Sequence, residues 1–438
     1  MSAQTAIAEA PLAEAPLRRT RRTVQFNSAL LVSGAMAASG VLTYAFQILA
    51  ARRLDAGQFG RIAVLWGGVF LLAIVLFRPL EQTLSRAIAH RLANGEEIRS
   101  VLRSVALVAI VVFCLIVAAS LGTWSVVTNR LFEGDGYMTA MLLAGTCFYG
   151  LQYIVRGLLG GVRWFQGYSA VLLADAAGRI AVALPLLAVA SPHLAASAVA
   201  AAGLLGALAP FVWARRWLPA LRTDGAGEPF DSRSGLRFAG PAAVVAASDQ
   251  LLINGGPLLV VLLGTGGTKA AGVVFAATML VRAPVYVFTG VAASLLPNFT
   301  LLAEASRAEL ARVFGRTLRI LSVAGVVIVV GVAAVGPTAM DILYGGSFEA
   351  TRLDLVLLAA SVSLYLASAT LLQALLAFDT AAAGAWAWLT SAGVLVGAYL
   401  LASGAELQRV SISLVAATAA NALLHGGLLA RLLRSRPA

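Results

Sequence analysis

Apolar runs of about twenty residues recur along the whole chain, each ended by a short polar stretch. A helix of about 20 apolar residues crosses the hydrocarbon core of a bilayer, so each run predicts one membrane span. The runs fall near 28–50, 60–80, 104–124, 137–159, 167–190, 193–213, 238–263, 271–296, 318–340, 353–377, 383–402 and 409–430. The ten-residue apolar/polar alternation of a membrane β-barrel does not occur. The pattern predicts an all-α membrane protein of about twelve transmembrane helices.

The longest polar interruption, ARRWLPALRTDGAGEPFDSRSG at 214–235, stands at the middle of the chain. Its Gly, Pro and charged residues predict a cytoplasmic linker between two six-helix bundles, 27–213 and 236–430. The two halves carry related turns, AARRLDAGQFGRIAVLW and LLGTGGTKAAGVVFAAT, which align Gly60 on Gly272 at an offset of 212. The same offset sets Leu84 on Leu296, Glu97 on Glu309 and Val101 on Val313. Six spans per half is an even number, so both copies insert in the same sense. That predicts a parallel pseudo-twofold repeat about the membrane normal, with a substrate path between the halves.

Composition agrees: 60% of residues are hydrophobic and 12% charged, with mean hydropathy +0.88, where soluble domains carry about 25% charged residues. A net charge of +12 would suit a nucleic-acid partner, but the arginines lie in the gaps between apolar runs. There they set topology and meet anionic membrane lipids, and no nucleic acid is expected. With the N-terminus inside, 22 of the 32 basic residues fall in cytoplasmic segments and 7 in periplasmic ones. This predicts a multi-pass protein of the bacterial inner (plasma) membrane with both termini in the cytoplasm. Residues 1–26, ending in Arg18, Arg19, Arg21 and Arg22, read as a disordered basic tail, and 431–438 as a second basic tail. Trp164, Trp213 and Trp217 read as an aromatic belt, and Arg156 and Arg163 as headgroup anchors.

No enzyme motif is present. The sole lysine, Lys269, follows Thr268 where a phosphate-binding loop requires glycine. Cys114 and Cys147 lie in apolar runs, and His90, His193 and His425 are scattered, so neither a metal site nor a cofactor is expected. The informative residues are charges inside spans: Arg78, Glu81, Asp175, Arg179, Asp249 and Arg282. Each costs about 2.5–3.5 kcal/mol near a bilayer centre, so each faces a polar cavity or a partner. Asp175 and Arg179 are four residues apart, the spacing of a helix ion pair. Arg78 and Arg282 stand in corresponding spans, eight residues out of register under the 212 offset. Facing a central cavity they would hold an anionic substrate group bidentately. The alternative is that Arg78 snorkels to the headgroups while Arg282 pairs with Asp249. Asp249 itself either titrates or binds an ion, or neutralises Arg282.

LTYAFQILAARRLDAGQFGRIAVLW (42–66), SDQLLINGGPLLVVLLGTGGTKAAGVVFAA (248–277) and LLPNFTLLAEASRAELARVFGRTLRI (295–320) together resemble polysaccharide and O-antigen flippases. These belong to the multidrug/oligosaccharidyl-lipid/polysaccharide exporter (MOP) superfamily. The resemblance implies a V-shaped, alternating-access transporter that flips an isoprenoid-diphosphate-linked oligosaccharide to the periplasmic leaflet for cell-surface polysaccharide biosynthesis. It also implies glycosyltransferases and a polymerase of the same pathway as partners, and no chemical step in this chain. Arginines in spans two and eight, as in related lipid II flippases, match Arg78 and Arg282 by span. The usual Leu-Gly-Pro turn is Leu54-Asp55-Ala56 here, and the turn at 264–268 is Gly-rich. Other readings are a cation-coupled multidrug exporter of the same superfamily, a lipid II flippase, and a membrane glycan polymerase or ligase. The last would need a long catalytic loop, which the chain lacks.

Overall fold

The computed structural model describes residues 15–221, 232–285, 307–377 and 381–434. Among them the chain is helical throughout. The first half holds α1 (Ala15–Arg53), α2 (Ala56–Asn94), α3 (Arg99–Gly122), α4 (Trp124–Phe132), α5 (Gly136–Gly161), α6 (Phe165–Ala183), α7 (Pro192–Leu208) and the single turn α8 (Ala214–Trp217). The second holds α9 (Ser232–Asn254), α10 (Gly256–Leu263), α11 (Gly267–Val285), α12 (Arg307–Tyr344), α13 (Arg352–Ala377), α14 (Ala381–Leu401) and α15 (Glu406–Arg434). Eleven of the described helices are long and apolar enough to cross a membrane, and the bent pair α9–α10 makes a twelfth span.

The spans stand where the apolar runs predict them, but their ends run further. Helix α1 begins at Ala15, so residues 15–26, expected to be disordered, are helical, and residues 1–14 lie outside the described residues. Ala, Leu and Arg are strong helix formers, and Pro16 sits in the first turn where its missing N–H costs nothing. Helix α15 likewise continues to Arg434, into the expected tail. The mid-chain linker is shorter than 214–235: its start is helical turns to 221, α9 opens at Ser232, and 222–231 lie outside the described residues. The expected continuation of span eight to 296 and the first part of the loop at 295–320 also lie outside them. Trp217, expected at the membrane surface, is core, with its indole N–H donating to the Pro210 carbonyl at 3.1 Å.

Span seven is the one element whose shape the periodicity misses. Helices α9 and α10 meet at 81° around Gly255. The sequence Asn254-Gly255-Gly256-Pro257 carries the signal, since Pro257 cannot extend an incoming helix and two glycines hold it weakly.

Helix α2 is the spine between the halves. Asp55 caps it, its Oδ1 accepting from the N–H of Gly57 and Gln58 at 2.9 Å each. That explains the departure from Leu-Gly-Pro at this turn, because an aspartate N-cap satisfies donors that proline would remove. Along α2 the second half packs by backbone approach. A Cβ on Gly60 would lie 1.7 Å from the Thr268 carbonyl oxygen and 3.0 Å from Gly272 N. A Cβ on Gly272 would lie 2.2 Å from the Ala56 carbonyl oxygen and 3.0 Å from Gly60 N. The two glycines aligned by the 212 offset therefore touch each other reciprocally, as residues on either side of a twofold axis do. Phe59 and Trp66 of α2 pack on Phe275 of α11, and Phe59 meets Phe348 edge-on at 5.3 Å.

Polar contacts reinforce this joint at the end holding the α1–α2 turn. Arg52 donates to the carbonyls of Leu343 (3.0 Å) and Ile342 at the end of α12. Arg53 makes the matching contacts within the first half, to Leu186 (2.8 Å) and Leu187 after α6. Glu133, in the turn after α4, accepts from Thr268 Oγ1 at 2.9 Å at the start of α11. Under the offset Asp55 corresponds to Gly267, which carries no cap, so the start of α11 is served by Glu133 of the other half and by Glu406 of α15, which accepts from the Thr265 N–H at 2.8 Å. Asp135, just outside α5, caps that helix and touches His193 Nε2 at 2.9 Å. Partial burial works against its ionisation, but His193, the Met138 N–H and Arg61 together hold its carboxyl below the usual aspartate range. A depressed carboxylate stabilises the fold above its unfolded pKa and loses that contribution as pH falls through the folded value. Thermal midpoints should therefore drop below about pH 4 in the native protein and drop less in Asp135→Asn, where the group no longer titrates.

Candidate functional site

The charged residues inside the spans sort into three groups. The first lies where α2 of one half faces α9, α11 and α13 of the other. Asp249 of α9 accepts from the Tyr365 hydroxyl at 2.7 Å and from Gln250 Nε2 at 3.2 Å. Gln250 Oε1 accepts from Asn254 Nδ2 at 2.7 Å, and Asn254 Oδ1 accepts from Arg282 Nη1 at 3.0 Å. Arg282 is thus joined to Asp249 through two amides, where a direct ion pair was one expectation. Arg282 is 8% exposed, whereas Arg78 on α2 is exposed. The charges of both arginines act on Asp249 and on the Tyr365 hydroxyl, and Arg78 acts also on Tyr153 of α5. The structure therefore brings Arg78, Arg282 and Asp249 to one place, two positive charges to one negative.

Pro79 follows Arg78 inside α2, and the break at Gly255 brings Asn254 against α2, its carbonyl oxygen 2.8 Å from where a Gly67 Cβ would stand. Beside Arg282 a small cavity of about 40 Å³ is lined in part by Thr278, Ser361, Tyr365 and Thr418. That is room for a few waters, which its hydroxyls can hold.

The second group is internal to the first half. Arg179 Nη2 lies 2.6 Å from Asp175 Oδ1 and 2.7 Å from the Tyr149 hydroxyl, which itself donates to Asp175 at 2.9 Å. Arg179 Nη1 donates to Thr43 Oγ1 at 3.1 Å, and the guanidinium stacks 4.8 Å over the Trp66 ring. Four helices supply this network, and Arg179 is 2% exposed. The i,i+4 pair is real, but it is the centre of a buried structural cluster.

The third group corrects an expectation. Glu81 sits three residues from Arg78, yet it bonds Arg156 of α5, Nε to Oε1 at 3.2 Å, with the Tyr168 hydroxyl donating to the same oxygen at 3.1 Å. Arg156, expected as a headgroup anchor, is enclosed between the Tyr153 and Tyr168 rings at 4.8 and 4.9 Å. Arg163 is exposed in the α5–α6 turn. Sequence reasoning missed Tyr365, Gln250, Asn254, Tyr149 and Tyr168, whose neutral polar side chains resemble many others in the spans. Among the described residues no three His, Cys, Asp or Glu side chains gather as a metal site would require.

No protein-family model matches the chain. Proteins of Mycobacterium tuberculosis and Mycobacterium bovis, both named only as uncharacterized proteins, are 27% identical to it over 411 residues, covering 90% of this chain and 84% of theirs. Among solved structures, the inward-facing conformation of a multidrug resistance MATE family transporter of the MOP superfamily superposes with a TM-score of 0.75 at 15% identity, over 91% of this chain and 96% of that one. An outward-facing conformation so described gives 0.65 at 15% identity over 93% and 96%. A eukaryotic MATE transporter gives 0.57 at 14% identity over 96% and 99%. The chain has the fold of the MATE transporters of the MOP superfamily.

Proposed function

We propose that the protein is an alternating-access transporter, and that its cargo is an isoprenoid-diphosphate-linked oligosaccharide moved from the cytoplasmic to the periplasmic leaflet. The observation that carries this reading is the convergence of Arg78 and Arg282 on one acid between the halves. Two arginines to one acid suit a diphosphate, since guanidinium forks match phosphate oxygens. The inward-facing neighbour superposes better than the outward-facing one, so the joint at Gly60 and Gly272 would be the closed periplasmic gate.

A second reading is a cation-coupled multidrug exporter, favoured by the multidrug resistance transporters among the similar structures and by Asp249, held by Tyr365 and joined to Arg282 through Gln250 and Asn254. Proteoliposomes separate the two. On the leading reading, a short-chain isoprenoid-diphosphate glycan is flipped and a cationic dye is not accumulated. Arg282→Ala should lower flipping by at least about a hundredfold, the loss of a charged hydrogen-bonding partner worth roughly 3 kcal/mol. Arg282→Lys should restore only part, because a point charge cannot reproduce the fork. Dye accumulation with no glycan flipping would replace the leading reading with the second.

A further inference from the structure

Spans three and nine hold equivalent places in the two halves, and their surfaces repeat one arrangement. They are the least covered of the straight spans, with 17% of the apolar stretch of α3 and 6% of that of α12 buried. Near its start each carries a pair of exposed arginines one turn apart, Arg99 and Arg103 on α3, Arg312 and Arg316 on α12, where a third exposed arginine, Arg319, follows one turn further on. Among the described residues no protein group bonds or pairs with these four guanidinium groups.

The same stripe continues as an apolar ladder. On α3 it runs through Leu107 and Ile110 to Val117 and Leu121, all exposed. On α12 it runs through Ile320 and Val323 to Val327 and Val330, also exposed. A shift of 213 carries Arg99 onto Arg312, Arg103 onto Arg316, Leu107 onto Ile320 and Ile110 onto Val323, one residue from the offset that relates the gate glycines. Neither helix has a basic residue in its last turn, so each face is charged at one end only.

Arginines four apart on a helix lie about 6 Å from each other, close enough to share one phosphate group. Directly along the helix from that pair, the ladder offers a hydrocarbon chain a continuous contact. A soluble anion would use only the arginines, and a second copy of this chain would set arginine against arginine. We infer that each of the two faces binds one lipid with a net anionic phosphate headgroup, its phosphate on the arginine pair and its chain along the ladder. This holds whatever the cargo between the halves is, and it gives the fold two symmetry-related lipid sites outside its cavity.

The test is native mass spectrometry of the purified full-length protein in detergent with equal amounts of phosphatidylglycerol and phosphatidylcholine. Two phosphatidylglycerol molecules should be retained in preference to phosphatidylcholine, whose quaternary ammonium neutralises its phosphate. Arg99→Gln with Arg103→Gln should leave one, Arg312→Gln with Arg316→Gln should leave one, and all four changes none. Each pair should weaken retention about thirtyfold, from roughly fivefold per basic residue at an anionic interface. The corresponding lysine pairs should keep part of the selectivity, and unchanged thermal midpoints would verify that these surface changes leave the fold intact. Equal retention of the two lipids, unchanged retention in the quadruple variant, or displacement by millimolar inorganic phosphate would overturn the inference. So would a protein dimer lost on the same substitutions.

Discussion

Gly60→Ala is expected to open the joint between the halves at the α1–α2 end. The added Cβ would stand 1.7 Å from the Thr268 carbonyl oxygen and 2.6 Å from its carbonyl carbon, both backbone atoms that cannot rotate away. Overpacking of this kind costs about 1–3 kcal/mol when a core can adjust. Here the obstacle is helix against helix, so relief comes only by moving α11 away from α2, which also stretches Glu133 from Thr268 and Arg52 from the end of α12. A short bismaleimide across Glu133→Cys and Thr268→Cys, in a background without Cys114 and Cys147, reads that separation. Cross-linking should be efficient while Gly60 is kept and fall at least about tenfold once Gly60→Ala is added, the population change that roughly 1.4 kcal/mol produces. Gly272→Ala should act the same way through the Ala56 carbonyl oxygen. Efficient cross-linking in both alanine variants would mean that the close approach is not what holds this end shut.

Arg179→Ala should cause the largest loss of stability of any single change considered. It removes the partner of Asp175, Tyr149 and Thr43 together and leaves a carboxylate enclosed between helices. Breaking a buried pair from one side costs about 3–5 kcal/mol, because the remaining charge keeps its desolvation penalty and loses its compensation. Replacing both members, Arg179→Met with Asp175→Leu, should recover most of the folded yield and give a strong interaction in the double-mutant cycle. The readout is detergent-solubilised monodisperse protein and its thermal midpoint. If the single and double variants are equally unstable, Arg179 contributes through its stack on Trp66 and not through the ion pair.

The membrane spans were legible because twenty apolar residues in a row leave few alternatives, and the parallel repeat was legible because Gly60 and Gly272 are both required by one backbone crossing. Helix ends were not, since hydropathy marks where the lipid stops and says nothing of where the helix does; α2 continues well past its apolar run to Asn94. The break in span seven was hidden inside an unbroken apolar run, and only Asn254-Gly255-Gly256-Pro257 gave it away. Cost alone singled out Arg78, Glu81, Asp175, Arg179, Asp249 and Arg282, because a charge in a span demands an explanation, and could not say which of them belong together. What cost cannot give is pairing. Glu81 is three residues from Arg78 and distant in sequence from Arg156, yet tertiary packing gives it to Arg156. Glu133 is one acid in a short turn until the fold sets it at the start of α11, in place of the cap that Gly267 cannot supply.

The halves should move against each other around Arg78 and Arg282, and paired spin-label distances read that movement at both ends. One pair, Asn129→Cys with Lys269→Cys, spans the α1–α2 end, and another, Asn94→Cys with Val313→Cys, spans the opposite end; all four positions are exposed. Each pair is measured by pulsed electron resonance in nanodiscs, with and without a short-chain isoprenoid-diphosphate glycan. Alternating access predicts that the ligand shifts the two distance distributions in opposite senses, and that Arg282→Ala abolishes the shift while leaving the ligand-free distributions in place. Distances that stay fixed at both ends, or that change in the same sense at both, would rule out alternating access.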